Sequence, residues 1–179
     1  MIPLPLSLPP HPAGAQTEYS YPLTADGHQA LQQGCCAPAL LPLTGRAGER
    51  VAVVPAQALS WQRVTLPQKL ALGHNQRLRA VLEGLLEDHL LDEPAQLHFA
   101  LQPGARAGHS TWVAVCGRDW LQQHLQLLES SGHPVARIVP EWAPATEPDP
   151  SPRSCAVGTP GDARLLASSV APDHGVARW

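Results

Sequence analysis

Residues 51–101 read VAVVPAQALSWQRVTLPQKLALGHNQRLRAVLEGLLEDHLLDEPAQLHFAL, and this stretch decides the fold class. The continuous apolar run at 51–54 predicts a strand that is buried on both faces and ends at Pro55. Apolar and polar residues alternate over 60–66 and again over 96–101, which predicts two further strands. Together with the helical segment between them, these strands indicate a mixed α/β fold.

The segment 75–91 has the spacing of an amphipathic helix. Its apolar residues recur three and four positions apart, which predicts one buried stripe: Leu78, Val81, Leu82, Leu85 and Leu86. Asn75 is suited to the N-cap. Gly84 costs about 1 kcal/mol relative to alanine inside a helix, and we interpret it as a point of close packing against the sheet.

The charges of this helix run against its dipole. Arg77 and Arg79 lie near the positive N-terminal end, whereas the acidic residues lie at or beyond the negative C-terminal end, at Glu87, Asp88, Asp92 and Glu93. Two interpretations remain open. The four carboxylates either belong to an ordinary solvated surface or form an acidic site that binds a basic partner.

The rest of the chain alternates strand and helix patterns. Prolines within residues 1–8 predict an edge strand, because proline removes a ladder donor. The other predicted elements are a strand at 17–23 followed by an Asp26-Gly27 turn, a short helix at 30–41, a loop at 103–108, a strand at 111–116, a helix at 119–131 with the apolar stripe Leu121, Leu125 and Leu128, a C-terminal Gly132, and a strand at 135–139.

The composition predicts one main lobe followed by an extension. Residues 1–142 form the lobe, which is strand-rich over 1–66, helical over 75–91 and strand–helix–strand over 96–139. The proline-rich stretch 143–154 reads as a linker or surface loop. Residues 155–179 read as short strands that begin a further subdomain, at 155–157, 164–168 and 175–179.

Charge and cysteine content exclude several function classes. A formal net charge of −3, with a single lysine at position 69, argues against nucleic-acid binding. Cys35 and Cys36 are adjacent and no CxxC occurs, so we expect reduced, partly buried thiols rather than a zinc ribbon. Prolines interrupt the apolar N-terminus, which excludes a signal helix, and no apolar run approaches the ~20 residues that span a bilayer.

No motif of the chain predicts catalysis, a cofactor or a metal. The nine histidines include no HxxxH or HExxH pair, so we interpret them as surface or singly hydrogen-bonded groups. Neither GxGxxG, GxxxxGK[ST] nor GxSxG occurs. Cys116 with His124 could form a thiolate–imidazole pair, but the pattern favours a buried strand cysteine followed by an exposed helix histidine.

Four stretches together resemble the cytoplasmic domain of type II secretion system protein L. They are VAVVPAQALSWQRVTLP at 51–67, RAVLEGLLEDHLLDEPAQLHFAL at 79–101, WVAVCGRDWLQQHLQLLESSG at 112–132 and VARIVPEWA at 135–143. The resemblance covers about half the chain closely and the rest by the order of elements. It implies a lobe of the actin-like, ribonuclease-H-like superfamily, with a mixed sheet flanked by helices.

The resemblance also implies a function and partners. Members of this family act as scaffolds of the inner-membrane platform, where they bind the N-terminal region of the secretion ATPase, protein E, and connect it to protein M. A homodimer is a further option. The implied location is the cytoplasmic face of the bacterial inner membrane.

This chain departs from the family pattern after Trp179. The family continues into further cytoplasmic subdomains, a transmembrane helix and a periplasmic domain. We therefore expect a truncated or partial protein, attached to the membrane only through missing C-terminal sequence or through partners. The rival functions are a nucleotide-binding actin-like protein and a generic α/β ligand-binding domain, although the glycine-rich phosphate loops of active superfamily members have no match here.

Overall fold

A computed structural model of the chain describes residues 3–24, 30–43, 49–72, 76–144, 153–157 and 164–168. The strands are β1 (Pro3–Ser7), β2 (Tyr19–Thr24), β3 (Ala30–Cys36), β4 (Glu49–Val54), β5 (Ser60–Thr65), β6 (Leu97–Leu101), β7 (Ser110–Gly117), β8 (Arg137–Pro140), β9 (Arg153–Val157) and β10 (Arg164–Ser168); the α-helices are α1 (Gln76–Leu86) and α2 (Arg118–Ser130). The predicted mixed α/β class is confirmed.

The chain divides into two compact units that interleave in sequence. The first comprises Met1–Ala58 and Asp119–Glu141, and the second comprises Leu59–Arg118 and Trp142–Trp179. The predicted division into a lobe, a linker and a further subdomain stays a prediction.

The first unit contains a five-stranded mixed sheet in the order β3-β2-β1-β4-β8. Strand β1 is antiparallel to β2 and parallel to β4, and β4 is parallel to β8. The apolar run of β4 is buried as predicted for a strand covered on both faces, since Val51, Ala52 and Val54 are each at most 4% exposed.

The prediction of an edge strand at residues 1–8 was wrong, because β1 lies at the centre of the sheet. Pro3 and Pro5 lie at alternate positions, so their missing N–H donors fall on one side of the strand. The register with β4 runs from Pro3 to Ser7, whereas the register with β2 is limited to Ser7↔Ser20. The central strand β1 therefore tolerates Pro3 and Pro5, because its hydrogen-bonded ladder with β2 is short.

The predicted helix at 30–41 was also wrong. Residues Ala30–Cys36 form β3, which pairs with β2, and only a 3₁₀ turn follows at Pro38–Leu40. Pairing prevails over the helix-forming alanine, leucine and glutamine residues, and Gly34 suits the paired strand. A Cβ at this position would lie 2.5 Å from Cζ of Tyr21, so only glycine leaves room for the facing tyrosine ring.

Helix α2 ends as its sequence predicts. Gly132 adopts φ +80°, the left-handed conformation that favours glycine. The Gly132 N–H donates to the Glu129 carbonyl and the His133 N–H donates to the Leu128 carbonyl, which are the two bonds of a Schellman motif. Leu121 and Leu128 are buried and Leu125 is half-buried, which confirms the stripe, but His124 is buried among them rather than exposed.

The second unit contains an antiparallel three-stranded sheet in the order β5-β7-β6, covered on one face by α1. Val64, Leu97, Val113 and Val115 supply one side of its core, and Leu82 and Leu86 of α1 supply the other. Strands β9 and β10 form a separate antiparallel pair, and the strands predicted at 155–157 and 164–168 are confirmed.

Helix α1 is shorter than predicted, since it ends at Leu86 and a 3₁₀ turn follows at Glu87–His89. Leu85 is 37% exposed, so the predicted stripe is one residue too wide. The close packing predicted for Gly84 is wrong as well, because a Cβ there would meet nothing within 4 Å.

The remaining strands and the 103–108 loop are confirmed within one or two residues of their predicted bounds. Several predictions lie outside the described residues: the Asp26-Gly27 turn, the Asn75 N-cap, most of the proline-rich stretch at 143–154 and the strand at 175–179.

Candidate partner-binding site

The four predicted partner-binding residues follow the end of α1 within the second unit. Glu87 and Asp88 belong to the 3₁₀ turn, and Asp92 and Glu93 precede a second 3₁₀ turn at Pro94–Gln96. All four side chains are exposed. Within the described part of the chain, none of these four carboxylates makes a hydrogen bond or ion pair. We name residues 87–93 the acidic segment.

The acidic segment also carries an exposed apolar side chain that sequence reasoning missed. Leu90 has extended backbone angles (φ −99°, ψ 143°) and packs against the core of the second unit. The next residue, Leu91, lies in a bend and its side chain is fully exposed. A leucine surrounded by unpaired carboxylates suits protein recognition, in which an apolar centre is bordered by polar groups.

Arg79 fixes the acidic segment to α1. Its terminal Nη2 donates to the carbonyl oxygens of Pro94 at 2.9 Å and Leu97 at 3.2 Å, the two ends of the turn that closes the segment. Its Nε forms an ion pair with Glu83 at 2.8 Å, and its guanidinium carbon lies 5.5 Å from the ring centroid of Phe99. Arg79 therefore positions the segment rather than merely opposing the helix dipole.

The sequence offered one signal for this geometry. Pro94 cannot continue a helix, and the residue before a proline is biased toward extended angles. Glu93 indeed has φ −60° and ψ 130°. Because α1 ends at Leu86, Leu91 lies in an irregular connection and is exposed, whereas a helix reaching residue 91 would place it at the helix end.

A second surface of this unit carries the opposite charge. Arg63 of β5, Trp112 of β7 and the loop that joins β6 to β7 line a shallow groove of about 60 Å³. The exposed Arg63 guanidinium lies 6.0 Å from the ring centroid of Trp112. None of the groove residues is acidic; besides Arg63 and Trp112 they are Gln102, Pro103, Gly104, Ala105, Ser110 and Thr111.

The first unit holds a buried polar cluster around His124, which sequence analysis placed on the surface. The Tyr19 hydroxyl lies 2.9 Å from Nδ1 of His124, and Nε2 of His124 lies 3.0 Å from the His11 carbonyl oxygen. Trp120 Nε1 donates to the carbonyls of Pro9 and His11, both at 3.2 Å. These side chains bind the β1–β2 connection to α2.

Burial shifts the pKa values of this cluster toward the neutral forms. It raises the pKa of Tyr19 to about 12 and lowers the pKa of His124. The pKa of His133 is lowered by burial and, to a smaller extent, by the positive charge of Arg50. The cluster is thus built to stay uncharged, which suits structure rather than proton transfer at neutral pH.

The proposed alternative of a Cys116–His124 pair has no support in the geometry. Burial raises the pKa of the Cys116 thiol to about 11, so the thiolate is scarce at neutral pH. Both ring nitrogens of His124 are occupied by Tyr19 and His11. In the described residues, no three histidine, cysteine or acidic side chains are grouped so as to hold a metal ion.

Comparison with known proteins identifies the family. A family model described as type II secretion system (T2SS), protein L, matches residues 11–155. The chain belongs to this family. The match covers most of the chain, including α1, the acidic segment and the buried His124 cluster.

A solved structure has a fold similar to that of this protein L family member. It is the cytoplasmic domain of EpsL, an inner membrane component of the type II secretion system of Vibrio cholerae, with a TM-score of 0.55 and 20% sequence identity. The alignment covers 77% of this chain and 56% of that one, so the chain spans little more than half the length of the relative. The likeness confirms that the chain shares the mixed α/β fold of that cytoplasmic domain.

Comparison with curated protein sequences gave no significant match. Among the described residues, no helix is long and apolar enough to cross a lipid bilayer.

Proposed function

We propose that this protein L family member is a non-catalytic docking scaffold of the type II secretion machinery, at the cytoplasmic face of the bacterial inner membrane. Its acidic segment binds the N-terminal region of the secretion ATPase, protein E, and the same platform includes protein M. The observation that carries the proposal is the exposed acidic segment itself, in which Leu91 and four unpaired carboxylates lie together on a chain of this family.

The geometry supports binding to a basic, partly apolar surface. Exposed carboxylates attract a basic partner over about 8 Å at physiological salt, which mainly raises the association rate. Leu91 supplies an apolar contact that loses its exposed surface on binding, at about 25 cal/mol per Å² of apolar area. Arg79 holds the segment to α1 before binding, so less conformational entropy is lost when the partner arrives.

Calorimetric titration of the chain with the N-terminal region of protein E tests this function. We expect binding that weakens about tenfold in the double variant Glu87→Lys with Asp88→Lys, and also in Leu91→Ser. The charge effect should shrink as salt rises, whereas the Leu91 effect should persist, because only the former is screened.

Glu129→Lys is the matched control for the single variant Glu87→Lys, because each changes the net charge by the same amount and Glu129 is an exposed acidic residue of α2 in the first unit. It changes net charge without touching the acidic segment, and we expect it to leave the affinity unchanged. Absence of binding by the unmodified chain would refute the ATPase-docking role. Equal weakening by Glu129→Lys would show that net charge alone, rather than this segment, attracts the ATPase.

A further inference from the structure

Within residues 59–118 of the second unit, the acidic residues are concentrated toward one end of the sheet. All five acidic residues between 59 and 118 lie from Glu83 to Glu93, whereas the groove and its neighbouring loops contain only basic or neutral residues. Besides Arg63, the basic and imidazole groups there are exposed: Lys69, Arg106 and His109. Within residues 59–118, the acidic segment therefore favours cationic groups and the groove favours anionic ones.

Strand β6 places these two surfaces at opposite ends of the sheet. The acidic segment leads through Pro94–Gln96 into the first residue of β6, and Gln102, which lines the groove, directly follows the last. Five residues of antiparallel strand span about 17 Å. The acidic segment thus cannot reach the groove of its own chain, but it can reach the groove of another.

The loops at the basic end are held in place by the sheet. Leu66 N–H donates to the His109 carbonyl at 3.1 Å, Gly108 N–H donates to the Leu66 carbonyl at 3.0 Å, and the hydroxyls of Thr65 and Ser110 lie 3.0 Å apart. Lys69 follows in the adjacent turn, which the Leu70 N–H closes onto Pro67. The groove is therefore preformed, which lowers the entropic cost of binding.

We propose that a second copy of this chain occupies the groove, with its acidic segment lying against Arg63 and Trp112. Carboxylates of the segment pair with the Arg63 guanidinium, and Leu91 packs on the Trp112 ring. Because the two contacting surfaces differ, the association is head-to-tail and can extend beyond two copies. The small contact area makes it weak and salt-sensitive.

Self-association then controls access to the ATPase. A copy whose acidic segment lies in a neighbour's groove cannot present that segment to protein E. This consequence rests on the proposed function, whereas the head-to-tail contact itself does not.

Analytical ultracentrifugation of the full 179-residue chain tests the contact without any partner present. At about 10 mM salt, where screening extends over about 30 Å, the average mass should rise with protein concentration, and at about 150 mM it should fall toward the monomer. Arg63→Glu alone, and Glu87→Lys with Asp88→Lys, should each weaken the self-association constant by about tenfold.

Ultracentrifugation of a mixture of the two variants is the decisive experiment. The Arg63→Glu chain keeps an intact acidic segment and the lysine variant keeps an intact groove, so a mixture should associate more strongly than either variant alone. Arg77→Glu and Glu129→Lys are controls at exposed sites outside both surfaces and should associate normally. Circular dichroism confirms that each variant is folded.

A chain that stays monomeric at low salt overturns the proposal, as does an undiminished association constant in both variants or a mixture that associates no more strongly than either variant alone. Competition is measured separately, by adding the N-terminal region of protein E to the associated chain. Dissociation of the copies supports the access mechanism. If protein E does not bind the monomeric chain either, the proposed function fails while the head-to-tail contact stands.

Discussion

His124 of α2 is a buried histidine whose tautomer can be deduced from its surroundings. The His11 carbonyl oxygen can only accept a hydrogen bond, so Nε2 carries the proton and donates to it. Nδ1 is then an acceptor, and the Tyr19 hydroxyl donates to it. A second proton would make Nδ1 a donor, so the Tyr19 hydroxyl hydrogen would have to point away from the imidazole, and burial opposes the added charge.

The lowered pKa of His124 makes the stability of the first unit depend on pH. Because the unfolded chain has the ordinary histidine pKa of about 6.5, it takes up the proton more readily than the folded chain does. Stability is therefore full above about pH 6.5 and falls as the pH drops toward the folded pKa, by at most about 1.4 kcal/mol per pH unit for one histidine.

His124→Gln separates the hydrogen bonds from the titration. Glutamine can still donate to the His11 carbonyl but cannot be protonated, and it places its oxygen differently from Nδ1. We expect the variant to lose about 1–3 kcal/mol at neutral pH, because the Tyr19 hydroxyl loses its acceptor, yet to show a flatter pH dependence. Denaturant unfolding at a series of pH values measures both effects. A slope as steep as that of the parent chain would assign the titration to another group.

Helix α1 shows how burial decides which leucines stabilise an element. Leu82 is 2% exposed and lies in the core of the second unit, whereas Leu85, three residues later, is 37% exposed. Both leucines belong to the apolar stripe that the sequence predicts for α1. The buried face of this eleven-residue helix is narrower than that stripe, because it includes Leu82 but not Leu85.

Leu82→Ala and Leu85→Ala form a matched pair on one helix. Removing Leu82 leaves a cavity beneath α1 and should cost about 2–5 kcal/mol. Removing Leu85 should cost less than about 1 kcal/mol, since much of its side chain already contacts solvent and alanine is the better helix former. The free energies of unfolding come from urea titration. Similar losses at both positions would mean that Leu85 is also core.

The elements that sequence predicted best are those whose signal is local. Proline and glycine mark the ends of β4, β5 and α2, and alternation marks β6 and β7. The failures depend on contacts between distant residues. Residues 30–36 become a strand because β2 pairs with them, and β1 becomes central because both β2 and β4 flank it. Such pairing overrides local propensity.

The candidate site was predictable in part for the same reason. The carboxylates at 87, 88, 92 and 93 are visible as charges against the helix dipole, and their exposure follows from their chemistry. Leu91 and Arg79 were missed because their roles depend on where α1 ends and on which carbonyls Arg79 meets across the turn. Neither fact is local.

At the scale of the whole molecule, the two units differ in how they respond to acid. The described buried histidines, His124 and His133, both lie in the first unit, and both have lowered pKa values. The described histidines of the second unit are exposed, at positions 89, 98 and 109. Judged from the described histidines, we expect acidification to remove stability mainly from the first unit, where two buried imidazoles must gain charge beside His11 and Arg50.

Hydrogen exchange resolved along the chain should show this difference. Between about pH 7 and about pH 5, after correction for the intrinsic exchange rate, amides of β4 and α2 should lose protection while those of β7 keep theirs. Exchange at β7 is the internal control, because its protection reports the second unit, which holds the acidic segment and the groove. Equal loss in both units would mean that they unfold as one. Unchanged protection in α2 would mean that His124 and His133 titrate in the folded chain as freely as in the unfolded one.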